Sequence, residues 1–252
     1  MTAAIRVPII TYHSIDDRGT ILSTAPALFA AHVAALARGG WRTAGIAAIA
    51  RALRKREALP ARTIALTFDD GYANFAKHAW PALKSARLGA TLFALGERAI
   101  ASNTWDSGAG TLGGEPLLTG AALRELADEG VEIGAHSMTH ARLTELAPAV
   151  LALEAGGSCR ALAETIGRPV RVFAYPYGAQ NAAVRDAIAA CCDAACSTRM
   201  GFASASSDPF LLERIDAYYL RDVRLVESLD SAATRAYLRA RAVLRRLRSA
   251  HG

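Results

Sequence analysis

Three short segments hold the residues with chemistry to offer: Thr67-Phe68-Asp69-Asp70-Gly71, His136-Ser137-Met138-Thr139-His140 and Phe173-Ala174-Tyr175-Pro176-Tyr177-Gly178. The first sets two carboxylates side by side after an apolar run. Adjacent carboxylates repel each other and are costly to take out of water without a cation. A bound divalent ion would settle one as a ligand and leave the other with a pKa suited to a general base. Gly71 lets the backbone turn sharply, so both side chains stay near one point; read plainly, Asp-Gly is also a common turn signal. In the second segment two histidines stand four residues apart. They meet on one face of a helical turn, or are brought together by a loop. Neutral imidazoles with one carboxylate suit zinc and similar ions. The plainer reading is one polar loop histidine and one capping histidine. The third segment is a strand entering a Pro-Tyr-Gly turn, which is either only that or a loop setting a backbone N–H against a developing oxyanion.

The elements that must position these segments alternate between two periodicities. Val7–Tyr12, Thr63–Phe68, Ala90–Leu95, Val131–Ala135 and Arg171–Tyr175 read as short strands, and Thr63–Phe68 as one buried on both faces. Helical patterns cover Phe29–Arg38, Ile46–Arg56, Ala76–Arg87 with a bend or start at Pro81, Thr119–Glu129, Pro148–Ile166 with a weak point at Gly156-Gly157, and Ala182–Cys196. Residues 102–116 read as a long loop carrying Trp105 and Asp106, and loops of that length are often functional. Repeated β-then-α units favour a parallel sheet or a (β/α) barrel in one domain, over 1–230. A basic helix follows over 231–252.

Composition bounds the rest. With 252 residues, 52% of them hydrophobic, the chain can bury a sizeable core, and 21% charged residues argue against bulk disorder. The net charge of +6 suits a polyanion or an anionic membrane surface. No nucleic-acid reader motif accompanies it, so no nucleic-acid partner is expected. The C-terminal stretch carries Arg235, Arg239, Arg241, Arg245, Arg246 and Arg248 beside Tyr237, Leu238, Val243, Leu244 and Leu247. The plainer reading is a solvated helix docked by its apolar face; the sharper one is a peripheral contact with an anionic membrane. No apolar run approaches about 18 residues and no secretory leader is read, so a cytoplasmic chain is expected. Cys159, Cys191, Cys192 and Cys196 form no C-x-x-C pair. They read as small core residues on a helix in a reducing compartment, rather than as a metal site.

Taken in order, T-F-D-D-G, H-S-M-T-H and F-A-Y-P-Y-G resemble the polysaccharide deacetylase family, over about Ile10 to Asp216. Leu117-Leu118-Thr119, Gly130–Gly134 and Leu143-Thr144 add similar context. The resemblance implies a distorted (β/α) barrel and a divalent metal, zinc as first choice, held by Asp70, His136 and His140. It implies that Asp69 is the base that takes a proton from the attacking water, and that the Tyr177 backbone N–H helps hold the oxyanion. The reaction would be hydrolysis of an N-acetyl group on an amino sugar such as N-acetylglucosamine, releasing acetate. A cytosolic sugar intermediate or a lipid-linked glycan at the inner membrane face would suit a chain without a leader. A non-sugar amide, or a carbohydrate-binding protein with an impaired site, are the alternatives.

Two departures from the commonest family pattern matter. The usual late histidine that serves as general acid is missing, because only His251 follows His140. A subset of the family begins with a strand ending in Tyr-His, which resembles Tyr12-His13, and His13 is assigned as the acid. The position of Ala174 usually holds an arginine that orients the base; Arg214, in Glu213-Arg214-Ile215-Asp216, is assigned in its stead, and Asp216 as a partner that orients His13. Trp105 and Tyr72 are candidate sugar-stacking surfaces. His32 and His78 have no motif context and are read as structural.

Overall fold

The computed structural model of the chain describes residues 6–106 and 111–249. Its core is a sheet of seven short strands, all parallel. They are Ile9–Tyr12 (β1), Thr63–Phe68 (β2), Thr91–Ala94 (β3), Glu132–Ala135 (β4), Val172–Ala174 (β5), Ala194–Met200 (β6) and Leu212–Asp216 (β7). Neighbours in space are neighbours in sequence, and β1 also pairs with β2, Tyr12 opposite Phe68, so the sheet closes into a barrel. Parallel neighbours need crossovers, and helices supply them. Helices 26–38 and 46–55 join β1 to β2, and the helix Ala182–Ala189 joins β5 to β6.

β1, β2, β3 and β5 are buried on both faces, so they read as continuous, largely apolar runs. Along each strand two packing clusters alternate with the period of two that β-geometry imposes. Ile10, Leu66, Leu92, Phe173 and Ile215 join the larger cluster, which the outer helices cover. Ile9, Ala65, Phe93, Val172 and Leu212 join a smaller one with Ile46, Ile49 and Leu53 of the helix Ile46–Lys55. This alternation decides which late residues point inward. His13 continues the face of Ile9, Asp69 that of Ala65, and Arg214 and Asp216 that of Leu212. All four line one cleft.

Several expected elements come out differently. Pro8 divides the first apolar run: Arg6–Val7 pairs antiparallel with Ala203–Ser204, and only Ile9–Tyr12 enters the barrel. The Ala-rich segment 182–196 is not one helix. It is helical over Ala182–Ala189 and then becomes β6, where Ala194, Ala195 and Cys196 pair with Val172, Phe173 and Ala174. Local alanine propensity favours a helix, but β6 completes the hydrogen bonds of β5, and tertiary pairing prevails. Cys196 is therefore a strand residue. Residues 76–87 form a π-helical turn, Phe75–Ala79, followed by the helix Trp80–Ser85, with Pro81 in the first turn where its missing N–H is tolerated. The weak point at Gly156-Gly157 is a π-helical segment, Leu153–Gly157, leading into the helix Ser158–Ile166.

The basic C-terminal helix runs Ala232–Ser249, and residues 250–252, with His251, lie outside the described residues. Thr234 and Leu238 of this helix are buried, and Leu238 belongs to the larger core cluster. Among the described residues no helix is long and apolar enough to cross a membrane.

Candidate active site

The cleft, of about 250 Å³, opens at the C-terminal ends of the strands. His13 follows β1, Asp69 and Asp70 follow β2, His136 follows β4, and Tyr177 follows β5. In (β/α) barrels this end carries the loops that do chemistry. The turns there are strained. Asp70, Ser137, His140 and Tyr177 all adopt left-handed φ, at 73°, 63°, 64° and 58°, which non-glycine residues avoid. Gly178 shares that conformation at φ 68°, and a Cβ there would collide with Thr198. The backbone at the cleft is thus held in turns that only the surrounding packing sustains.

Asp70, His136 and His140 are buried and offer ligand atoms within 4.8 Å of one another. Nε2 of each imidazole lies 3.2 Å from Oδ1 of Asp70. His136 Nδ1 faces the Ala174 carbonyl at 2.8 Å. A carbonyl only accepts, so Nδ1 carries the proton and, in a neutral ring, Nε2 presents a lone pair to a carboxylate oxygen. Acceptors do not face each other in a buried place without a cation between them. Burial pushes the His136 pKa down, but Asp70 and Asp69 outweigh it and the net shift is up. Burial draws His140 down despite Asp70. Burial raises the Asp70 pKa, but His136 and His140 facing its carboxylate outweigh that, and it is held well below its usual range. The donor set fits a divalent ion: one carboxylate and two imidazoles, one of them fixed in tautomer by a backbone carbonyl.

Asp69 points to other partners. Arg214 Nη1 donates to Oδ1 and Nη2 to Oδ2, each at 2.7 Å, and the guanidinium lies over the Phe93 ring. Its Nε donates to the Ser197 carbonyl at 3.0 Å, which fixes the fork from behind. Burial raises the Asp69 pKa, the Arg214 charge and hydrogen bonds lower it further, and the net shift is down. His13 Nε2 lies 3.9 Å from Asp69 Oδ2, with the ring partly open to the cleft. The side chain of Ala174 has nothing to offer Asp69; Arg214 reaches it from β7, five strands away in the chain.

A sequence profile of the polysaccharide deacetylase family matches residues 56–192, more than half of the chain. The chain belongs to the polysaccharide deacetylase family. One relative, YxkH of Bacillus subtilis (strain 168), itself named for a polysaccharide deacetylase, is 27% identical over 176 residues, which is 70% of this chain and 58% of that protein. The chain therefore spans less than two thirds of that relative's length. Among solved structures, the fold is similar to the Streptococcus pyogenes deacetylase PplD in complex with acetate, at a TM-score of 0.73 and 23% identity over 85% of this chain and 93% of that one. IcaB from Ammonifex degensii matches at a TM-score of 0.71 and 18% identity, over 88% and 97% of the two chains. A Bacillus cereus polysaccharide deacetylase matches at 0.69 and 23%, over 84% and 65%.

Around the cleft stand supports that the sequence motifs do not announce. Glu154, buried in the π-helical segment, accepts from the N–H groups of Met138 and Thr139 and from the Thr139 hydroxyl, at 2.9, 3.0 and 2.7 Å. It pins the loop between the two histidines. Nothing in the local sequence singles it out, because its partners lie in another loop. Asp106, in the long loop, also lines the cleft. Trp105 stacks on His140 with ring centroids 4.4 Å apart, and the Tyr177 ring meets His140 edge-on at 4.6 Å beneath Arg142. Trp105 thus packs against a candidate ligand. Tyr72 is fully buried and offers no sugar-stacking face. Its hydroxyl accepts from Asn103 Nδ2 at 2.6 Å, and so it belongs to the packing beneath the long loop. The Asp216 Oδ1 accepts from the Tyr218 N–H of its own turn, at 2.9 Å. His32 is buried, with its Nε2–H donating to the Leu220 carbonyl and its Nδ1 accepting from the Tyr12 hydroxyl.

Proposed function

We propose that this chain is a metal-dependent N-deacetylase that removes the acetyl group of an N-acetylated amino sugar or glycan. The observation that carries the reading is the division of labour between two adjacent carboxylates. Asp70 turns to His136 and His140, whereas Asp69 turns to Arg214, and both face one cleft. Asp70, His136 and His140 would hold a divalent ion, zinc by donor type. Such an ion, when bound, polarises an acyl carbonyl and acidifies water.

The chain's own residues supply the rest. Asp69, ionised through Arg214, accepts the proton of the attacking water at a carboxylate oxygen. Arg214 holds the carboxylate plane still, so that the lone pairs are presented in one direction. The Tyr177 backbone N–H would help hold the developing oxyanion. His13, across from Asp69, gives a proton to the leaving amine, and acetate departs.

The setting of the substrate follows from the C-terminal helix. Val243, Leu244 and Leu247 are about half exposed, among basic side chains, and Arg245 of the same helix lines the cleft. We read this face as a peripheral contact with an anionic membrane, which would set the cleft beside a lipid-linked glycan.

The test is acetate release from N-acetylglucosamine oligomers by metal-stripped protein, with and without added zinc. Release restored by metal supports the reading. Stoichiometric metal binding with no release from any acetylated sugar would move the assignment to a non-sugar amide.

A further inference from the structure

Away from the cleft, three sulphurs converge. Cys159 lies in the first turn of the helix Ser158–Ile166, and Cys191 and Cys192 follow the helix Ala182–Ala189. The Cys159 Sγ is 3.5 Å from that of Cys192, which is 3.8 Å from that of Cys191, and all three lie within 4.8 Å of one another. Cys159 and Cys192 are buried and Cys191 is half-buried. No C-x-x-C spacing marks the cluster, because its ligands come from the ends of two helices that the fold packs together.

The separations carry the argument. Zinc–sulphur bonds of about 2.3 Å in a tetrahedral shell set neighbouring sulphurs about 3.8 Å apart. The disulfide bond length is about 2.05 Å, well short of either measured distance. Three sulphurs on one small sphere, with one side less buried, match three ligand positions and an open fourth. The charge balance fits as well. The charges of Arg160 and Arg171 act on the Cys191 sulphur. Three thiolates and a divalent cation leave one negative charge for those arginines to balance.

We propose that Cys159, Cys191 and Cys192 form a second metal site, a trigonal thiolate site for a thiophilic divalent cation of the zinc class. Binding replaces each S–H by an S–metal bond and releases the proton to solvent. The site would tie the helix that begins at Ser158 to the turn that leads into β6. The π-helical segment carrying Glu154 directly precedes that helix, so the tie would also steady the support of the histidine loop.

Cadmium(II) alone is the probe, added to reduced protein under nitrogen, because its sulphur-to-metal charge-transfer band reports only thiolate ligands. The cleft offers cadmium no sulphur, so the result does not depend on the deacetylase reading. The expected result is one equivalent of cadmium giving the band and protecting the half-buried Cys191 from alkylation. Cys191→Ser, at the least buried position, and Cys192→Ser should each weaken cadmium binding at least tenfold, while His136→Ala keeps the band. Absence of the band in the folded wild-type protein, alkylation of Cys191 at the same rate with and without cadmium, or a band that survives both serine variants would overturn the proposal.

Discussion

Arg214 holds both oxygens of Asp69, 2.7 Å from each, although the two residues stand 145 positions apart in the chain. Both are buried. Removing one member leaves an uncompensated buried charge, which typically costs about 3–5 kcal/mol. Arg214→Ala should therefore lower stability by about that much, measured by chemical denaturation. A paired Asp69→Asn/Arg214→Met variant should lose less than Arg214→Ala alone, because no lone charge stays buried. Equal losses would mean that the pair is not the source of the cost.

The same pair sets the acid side of the activity profile. Arg214 holds Asp69 below its ordinary pKa, so the proposed base is ionised at neutral pH, and activity should fall only as pH drops through that depressed value. Lysine cannot reproduce a two-pronged contact. Arg214→Lys should raise the Asp69 pKa and move the acid limb of kcat/KM to higher pH. A pH–rate series compares the two limbs, and an unmoved acid limb contradicts the assignment of Asp69 as the base.

His13 is the proposed acid, and general acids contribute about 10²–10⁴-fold. His13→Gln should lower kcat by a factor in that range and leave zinc stoichiometry unchanged, since His13 lies outside the Asp70–His136–His140 group. Acetate release and metal content on the same preparation check this together. Loss of metal along with activity would assign His13 to the metal group instead.

His32 gives the fold its own pH dependence. Burial lowers its pKa from 6.5 to about 4, against a hydrogen bond to the Leu220 carbonyl. Below pH 6.5 the unfolded chain takes up a proton that the folded chain refuses until about pH 4. Stability present above pH 6.5 is thus lost progressively down to about pH 4, by about 3 kcal/mol in all. His32→Gln keeps a donor and an acceptor without the titration. Its stability should fall less across that window, as read by denaturation at a series of pH values.

The membrane contact is testable without disturbing the core. Deleting the C-terminal helix would expose the barrel, because Thr234 and Leu238 are buried in it. Val243→Ser/Leu244→Ser changes only exposed positions. Partition onto anionic vesicles should weaken several-fold in this variant and also at high salt. Unchanged partition would remove the helix from any membrane role.

What was legible in the sequence follows a physical division. Chemistry carried by adjacent residues was readable: Asp69-Asp70 and His136-x3-His140 announce themselves by type and spacing. Five of the seven strands were legible from their apolar runs; β6 begins with alanines and β7 interleaves Glu213, Arg214 and Asp216, so neither announces itself as a strand. Ala194, Ala195 and Cys196 have helical propensity and form a strand because β5 and β7 stand on either side of it. Contacts between distant segments were the least legible. Glu154 looks like any helix-surface glutamate until the fold sets it under Met138 and Thr139, and Tyr72 looks like a cleft aromatic until the long loop covers it.

The most direct test of the account separates the two neighbouring aspartates. Zinc content and acetate release from an N-acetylglucosamine oligomer would be measured for Asp69→Asn and Asp70→Asn beside the wild-type protein. The account predicts that Asp69→Asn keeps stoichiometric zinc and loses release, while Asp70→Asn loses both. Full release by Asp69→Asn, or full zinc binding by Asp70→Asn, would contradict it.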